Sequence, residues 1–440
     1  MFQTLIAWLA VALLIVMIYP WTRVLLAQSA ADDQRLLAYT LLPGLAIGAL
    51  TLIMFWLGLL GIRYNAASVG LPYAALCLLG FWLWTRSVTV APLTSSSHIR
   101  IPYHVLYLIP ALLVAAAILF NAAYWPFSRD DTLGIYQPFA QMTADSRTLV
   151  PLTGADSLYR AYPMALPLAY AFTYILSGWE NEYLARVVPA LLSVGCLPAA
   201  YLIGRRLLPG RSGAQNLAGV LSALIIAFTP TFVRWASSGY VDLPMAYFWA
   251  MTVLFCLRVL ERSAPVDALL AGICLGLAAW TKNAALVGVP LLMGALAWAV
   301  WRKRIRLSSA LLSLIAFAAI AAPWYVRNLI GAGFLMPDTA WTDQAQRTLG
   351  NLVPFLIHPQ DYGLAGWVLT AGLILALWQV VRAALAPKRS LTTTPSTENR
   401  VLSTEKQAAS SEHRVLSTEY QVLSTEYCAL LLWWIVPYFV

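Results

Sequence analysis

Apolar runs near 2–20, 37–60, 67–85, 103–122, 184–204, 216–233, 240–258, 266–280, 284–301, 308–328 and 364–381 succeed one another along this 440-residue chain, and a further run opens at Cys428. The longer ones reach the roughly 17–25 residues that an α-helix needs to cross a bilayer; 216–233 and 266–280 are shorter, with soft borders. One soluble domain with a very large core would not need such repetition. Charged residues make up only 11% and apolar ones 60%, with a mean hydropathy of +0.71, whereas soluble domains carry about 25% charged residues. The chain therefore reads as an all-α polytopic membrane protein with a bundle of about twelve helices. The first run has no basic flank and no small-residue cleavage site, so it reads as a retained span and not a signal peptide.

The net charge of +9 belongs mostly to cytoplasmic loops in a protein of this class, and it carries no message about nucleic acid. Basic residues cluster in every second loop: Arg205, Arg206 and Arg211, then Arg258 and Arg262, then Arg302, Lys303, Arg304 and Arg306, then Arg382, Lys388 and Arg389. Those loops are assigned to the cytoplasm. Cys77, Cys196, Cys256, Cys274 and Cys428 show no metal-ligand spacing and sit in or beside apolar runs, as small buried hydrophobes do.

With that parity, the polar stretch from Asn121 to Arg186 lies outside only if Pro163 to Leu176 does not cross. Fourteen helical residues at about 1.5 Å each give about 21 Å against a hydrocarbon core of about 30 Å. The segment is expected to lie along or dip into the outer interface as an amphipathic helix. Residues 387–427 repeat Val-Leu-Ser-Thr-Glu at 401–405, 415–419 and 422–426; the apolar pair is adjacent, not split as in a coiled coil, so this reads as a low-complexity cytoplasmic linker. Residues 428–440 would make only about 20 Å of helix, an incomplete span after which a further C-terminal portion is expected.

Several chemically able groups share the outer side: Asp130 and Asp131 after the fourth run, Asp242 opening the seventh, Lys282 in an outer hairpin, and Arg327 with Asn328 at the end of another run. Each has an ordinary alternative. Asp131 could cap a helix starting near Gln137, with Pro138 in its first turn, Lys282 could snorkel, and Arg327 could be an interfacial anchor. Gathered on one face near lipid, they make a site hypothesis, because charge there is costly.

In order, the chain has Asp130-Asp131 at the start of the outer loop, Tyr162-Pro163 before a short apolar helix, and Gly178, Glu180 and Arg186 in a Gly-x-Glu-x5-Arg element. Then come Tyr240, Asp242 and Pro244, the Gly276-Leu277 and Thr281-Lys282 pairs, and Pro323, Trp324, Tyr325 and Asn328. Over roughly 121–330 this resembles the GT-C superfamily of membrane glycosyltransferases. The resemblance is to the family 39 and protein O-mannosyltransferase-like group, akin to the lipid A aminoarabinose transferase. It departs from the usual Asp-Glu followed closely by a tyrosine, since Tyr136 stands further on, and about three extra spans precede the loop.

The resemblance implies inverting transfer of a sugar from a polyprenyl-phosphate donor to a hydroxyl of a lipid, glycan or protein acceptor at the extracytoplasmic face of the cell (inner) membrane. A carboxylate of Asp130 or Asp131 would be the general base, with Asp130 favoured as the first acidic residue. Arg160, Tyr162, Arg186, Asp242, Lys282, Arg327 and Asn328 would bind substrate. Asp130, Asp131 and Asp242 could hold Mg or Mn, as some relatives do. The chain then divides into N-terminal spans at 1–120, an extracytoplasmic catalytic loop with juxtamembrane helices at 121–183, and a transmembrane core at 184–386. That core carries an outer lid loop at 331–363 holding Asp338, Asp343, His358 and Asp361; the linker 387–427 and the incomplete span 428–440 complete the chain. The competing reading is a multi-pass transporter or lipid flippase with a polar outer vestibule. Transporters favour mid-membrane charges and internal repeats, and here the charges stand at run ends with no repeat between halves.

Overall fold

A computed structural model describes residues 2–27, 34–87, 106–152, 162–207, 212–262, 264–336 and 358–385. Arg160, Asp338, Asp343, most of the lid loop, the linker 387–427 and the span 428–440 lie outside the described residues. Every regular element among those described is a helix. The first four are α1 (Phe2–Met17), α2 (Tyr19–Leu26), α3 (Gln34–Leu59) and α4 (Ala66–Ser87). Next come α5 (Ile109–Tyr124), α6 (Gln137–Ser146), α7 (Ala165–Ser177), α8 (Glu182–Val194), α9 (Cys196–Leu207) and α10 (Ser212–Ala227). The rest are α11 (Pro230–Ala236), α12 (Asp242–Arg262), α13 (Pro265–Thr281), α14 (Gly288–Trp301), α15 (Leu307–Ala332), α16 (Pro359–Tyr362) and α17 (Leu364–Leu385).

Among the described residues seven helices are long and apolar enough to cross a membrane, or eight if a bent pair counts as one. Shorter apolar helices, α5, α7 and α13, fill in between them. The chain is thus a polytopic all-α membrane protein, as its apolar runs require.

The bent pair differs from the single run expected at 216–233. Helix α10 stops at Ala227, Thr229 is extended, and α11 leaves at 65°. Pro230 is the cause: its ring disfavours helical backbone at the preceding residue, yet Pro suits the first turn of a new helix. The short helix α7 is also not the one-sided amphipath expected. All of Ala165–Ser177 except Leu176 is buried, among α1, α3, α6 and α8. At 13 residues it spans about 20 Å, still short of a bilayer core.

The centre of the bundle is the antiparallel hairpin of α12 and α13, with α15 against α13. Close approach there is set by small residues, as in other membrane helix pairs: a Cβ on Gly272 of α13 would stand 2.0 Å from the Ser313 carbonyl oxygen of α15. Trp280 and Trp324, both buried, pack edge to face at 5.5 Å across that interface. The hairpin also corrects one sequence assignment. Arg258 is not a loop cation. Its side chain is fully buried and pairs with the equally buried Asp267 at 2.8 Å, because Pro265 turns the chain immediately after α12 and brings the start of α13 alongside.

Candidate active site

The polar stretch after α5 becomes helical at Asp130, well before Gln137. Leu133 N–H donates to the Arg129 carbonyl at 2.9 Å in ordinary α fashion. Gln137 N–H then reaches back five residues to the Thr132 carbonyl, so Thr132–Tyr136 is a π-helical turn. Pro138 has no N–H, and its ring would clash with a carbonyl four residues back; a widened turn immediately before it relieves the conflict. Such turns insert one residue into a helix and recur at functional sites. Tyr136 closes this turn, near enough to Asp242 and Asp131 to feel both charges. Burial, then Asp242 and Asp131, raise the Tyr136 phenol well above its ordinary range. Asp131 stands at the N-cap of this turn but makes no capping hydrogen bond with its side chain. The cap role considered for it is not taken.

A second loop, 237–241, holds the facing wall. Three successive carbonyls are fixed: Ser237 O accepts from Arg186 Nε at 2.9 Å, Ser238 O from Thr132 Oγ1 at 3.3 Å, and Gly239 O from Tyr170 OH at 2.7 Å. Gly239 has φ +88°, and a Cβ there would lie 2.5 Å from the Phe127 ring, so only glycine fits. The loop delivers Tyr240, whose ring stacks on Trp235 at 4.8 Å and whose hydroxyl accepts the Asp131 N–H at 3.2 Å. Two residues on, Asp242 opens α12, and its Oδ1 accepts a hydrogen bond from Lys282 Nζ across the hairpin. Lys282 can reach because the chain turns extended as α13 ends.

Asp130, Asp131, Asp242 and Lys282 therefore come together. The Asp131 side chain meets solvent, yet the surrounding protein raises its carboxyl above the ordinary carboxylate range; Lys282 pulls it down, while Asp242 and Asp130 push it further up. Tyr240 and Tyr136 border the same cluster, and the half-buried Tyr162 lies beside Tyr136. The fit to a metal is poor. Among the described residues no three His, Cys, Asp or Glu side chains gather to hold an ion, and one oxygen of Asp242 is already taken by the Lys282 ammonium.

The other residues expected at the site are placed differently. Arg186 is 3% exposed and spends its donors on the protein. Besides Ser237 O it binds the carbonyls of Trp125 and Pro126 and the Asn121 side chain. It clamps the exit of α5 to the 237–241 loop. Arg327 donates to the Val150 carbonyl at 2.5 Å and lies over the Trp324 ring at 4.7 Å. Its charge acts on Tyr64, whose phenol is raised by burial and lowered by this cation. Asn328 is buried and donates to the Leu335 carbonyl at 3.4 Å. Glu180 accepts from Gln141 at 2.6 Å. Glu182, two residues further on, accepts Phe127 N–H at 2.8 Å and Gln137 Nε2 at 2.9 Å, tying both ends of the loop to α8.

Sequence reasoning missed Arg129 and Trp235. The Arg129 guanidinium lies over the Trp235 ring at 5.0 Å, and Trp235 in turn carries Tyr240. Adjacency to Asp130 was the one signal for Arg129; none pointed to Trp235.

Residues 161–326 match the family model described as dolichyl-phosphate-mannose-protein mannosyltransferase. The match takes in Tyr162, Arg186, Asp242 and Lys282 and stops short of the Asp130–Asp131 pair, Arg327 and Asn328. No curated protein and no solved structure matches the chain. On an all-helical frame of many spans, the family match supports a membrane glycosyltransferase of the GT-C type.

Proposed function

We propose that this chain moves a sugar from a polyprenyl-phosphate donor to an acceptor hydroxyl at the extracytoplasmic face of the inner membrane, with inversion. The observation that carries the reading is the cluster of Asp131, Asp242 and Lys282, in which one carboxylate stands beside an ammonium–carboxylate pair. The acceptor oxygen bonds to the anomeric carbon, the bond from that carbon to the phosphate oxygen breaks, and the polyprenyl phosphate departs with its electron pair. The acceptor proton goes to a carboxylate. Resemblance alone favours Asp130; the geometry gives reason to prefer Asp131. Burial raises its carboxyl above the ordinary range, which strengthens a carboxylate as a proton acceptor, and both Asp242 and Lys282 act on it. Lys282 meets the charge growing on the leaving phosphate, where a preorganised cation acts most strongly. Asp242 holds that ammonium in place. No step is routed through a metal ion.

The test uses the full chain in liposomes with a polyprenyl-phosphate sugar. Loss of a general base removes about 10²–10⁴ in rate, so Asp131→Asn is expected to lower transfer by that factor while donor binding persists, and Asp130→Asn to lower it less. Full transfer in both variants would refute the assignment.

A further inference from the structure

The first turn of a helix leaves N–H groups without partners inside the helix, and a side chain just before that turn normally accepts one of them. Here helical backbone begins at Asp130 and runs through the π-turn into α6. The residue before it is Arg129, whose carbonyl accepts the Leu133 N–H at 2.9 Å as that position requires. A guanidinium can only donate, so the Arg129 side chain supplies no acceptor for the Asp131 N–H. The acceptor comes from 109 residues away, as the Tyr240 hydroxyl at 3.2 Å.

Tyr240 is held for that task by its backbone and by its ring. Its N–H donates to Ser238 Oγ at 3.2 Å, and Ser238 Oγ donates to the Trp235 carbonyl at 2.7 Å. Its ring stacks on Trp235 with 18° between the planes. Trp235 also carries the Arg129 guanidinium, so the arginine that cannot cap the turn braces the residue that does. Helix α11, which bears Trp235, is itself pinned: Thr231 Oγ1 donates to the Asp361 carbonyl of α16 at 2.5 Å. An aspartate at the start of a helix ordinarily folds its carboxylate back onto nearby N–H groups, and a carboxylate engaged in that way is a weaker base. Asp131 makes no such side-chain bond.

We propose that Tyr240 is a positioning residue for Asp131: its hydroxyl is an imported N-cap that fixes the backbone of the acid-bearing turn and leaves the carboxylate free for proton transfer. The proposal rests on the glycosyltransferase reading above, in which Asp131 takes the acceptor proton.

The experiment has two readouts on the full chain in liposomes. One is amide hydrogen exchange over residues 129–133, which reports local opening of the turn. The other is kcat and KM for transfer from a polyprenyl-phosphate sugar. Tyr240→Phe keeps the ring on Trp235 and removes the acceptor. It should speed exchange about tenfold and lower kcat about tenfold, the worth of one hydrogen bond, with KM unchanged. Adding Arg129→Ser gives the turn a local N-cap and should return both readouts most of the way to wild type. Wild-type exchange in Tyr240→Phe overturns the proposal, and so does faster exchange with an unchanged kcat. A raised KM at unchanged kcat would make the hydroxyl a substrate contact and also overturns it, as does failure of Arg129→Ser to restore exchange. Full transfer by both Asp131→Asn and Asp130→Asn would remove the assignment of the base without altering the exchange result, so the two failures are distinguishable.

Discussion

The α12–α13 hairpin carries an ion pair at each end, in opposite surroundings. At one end Arg258 and Asp267 are both fully buried; at the other, Asp242 and Lys282 are 45% and 29% exposed. Sixteen residues of α12 separate Asp242 from Arg258, about 24 Å. The two pairs thus stand at the two ends of a near-bilayer depth with their polarity reversed: the acid starts α12 at one end and α13 at the other. The sealed pair has no route to a ligand. It fixes the register of the hairpin, and each charge depends on the other. The open pair has solvent on one side and Asp131 on the other. What separates structure from chemistry here is chiefly access: both pairs join an aspartate to a cation, arginine at the sealed end and lysine at the open one.

The largest expected effect is at the sealed end. Removing one partner strands the other charge in the interior, which costs about 3–5 kcal/mol. Arg258→Met should lower the unfolding midpoint of the detergent-solubilised protein accordingly, and the double change Arg258→Met with Asp267→Leu should recover most of the loss. If the single variant is as stable as wild type, the pair does not hold the hairpin.

A smaller effect sharpens the open end. The Asp131 carboxyl is raised above the ordinary carboxylate value of about 3.9, so its charged form is the one the fold disfavours. Transfer needs that charged form, so the rate should fall as pH drops through a midpoint above about 3.9. Lys282 lowers this carboxyl, and Lys282→Met should move the acid limb to higher pH. For stability the sign is opposite. A raised carboxyl favours the fold at low pH, where it is protonated, and that contribution is lost as pH rises through the folded value. Asp131→Asn should therefore not destabilise the protein at neutral pH. An acid limb that does not move in Lys282→Met would separate the two groups.

Much of this architecture was legible in order and periodicity. The apolar runs mark the helices, and loop parity alone brought Asp130, Asp131, Asp242 and Lys282 to one side. What stayed hidden depends on non-local partners. Arg258 looks like one more basic loop residue until Asp267 is folded against it. Arg186 looks like a ligand-binding cation until the carbonyls of Trp125, Pro126 and Ser237 take its donors. Pro138 advertised a helix start, while the π-turn before it appears only in the backbone hydrogen bond from Gln137 to Thr132.

The most direct test removes the open pair altogether. Asp242→Asn with Lys282→Met should be measured for unfolding and for sugar transfer in one preparation. An exposed pair contributes about 0–1 kcal/mol, whereas one preorganised cation at a developing charge is worth about 10²–10³ in rate. The account predicts near-wild-type stability with transfer lowered by at least that factor; a protein that loses its fold but, where still folded, transfers sugar at the wild-type rate would contradict it.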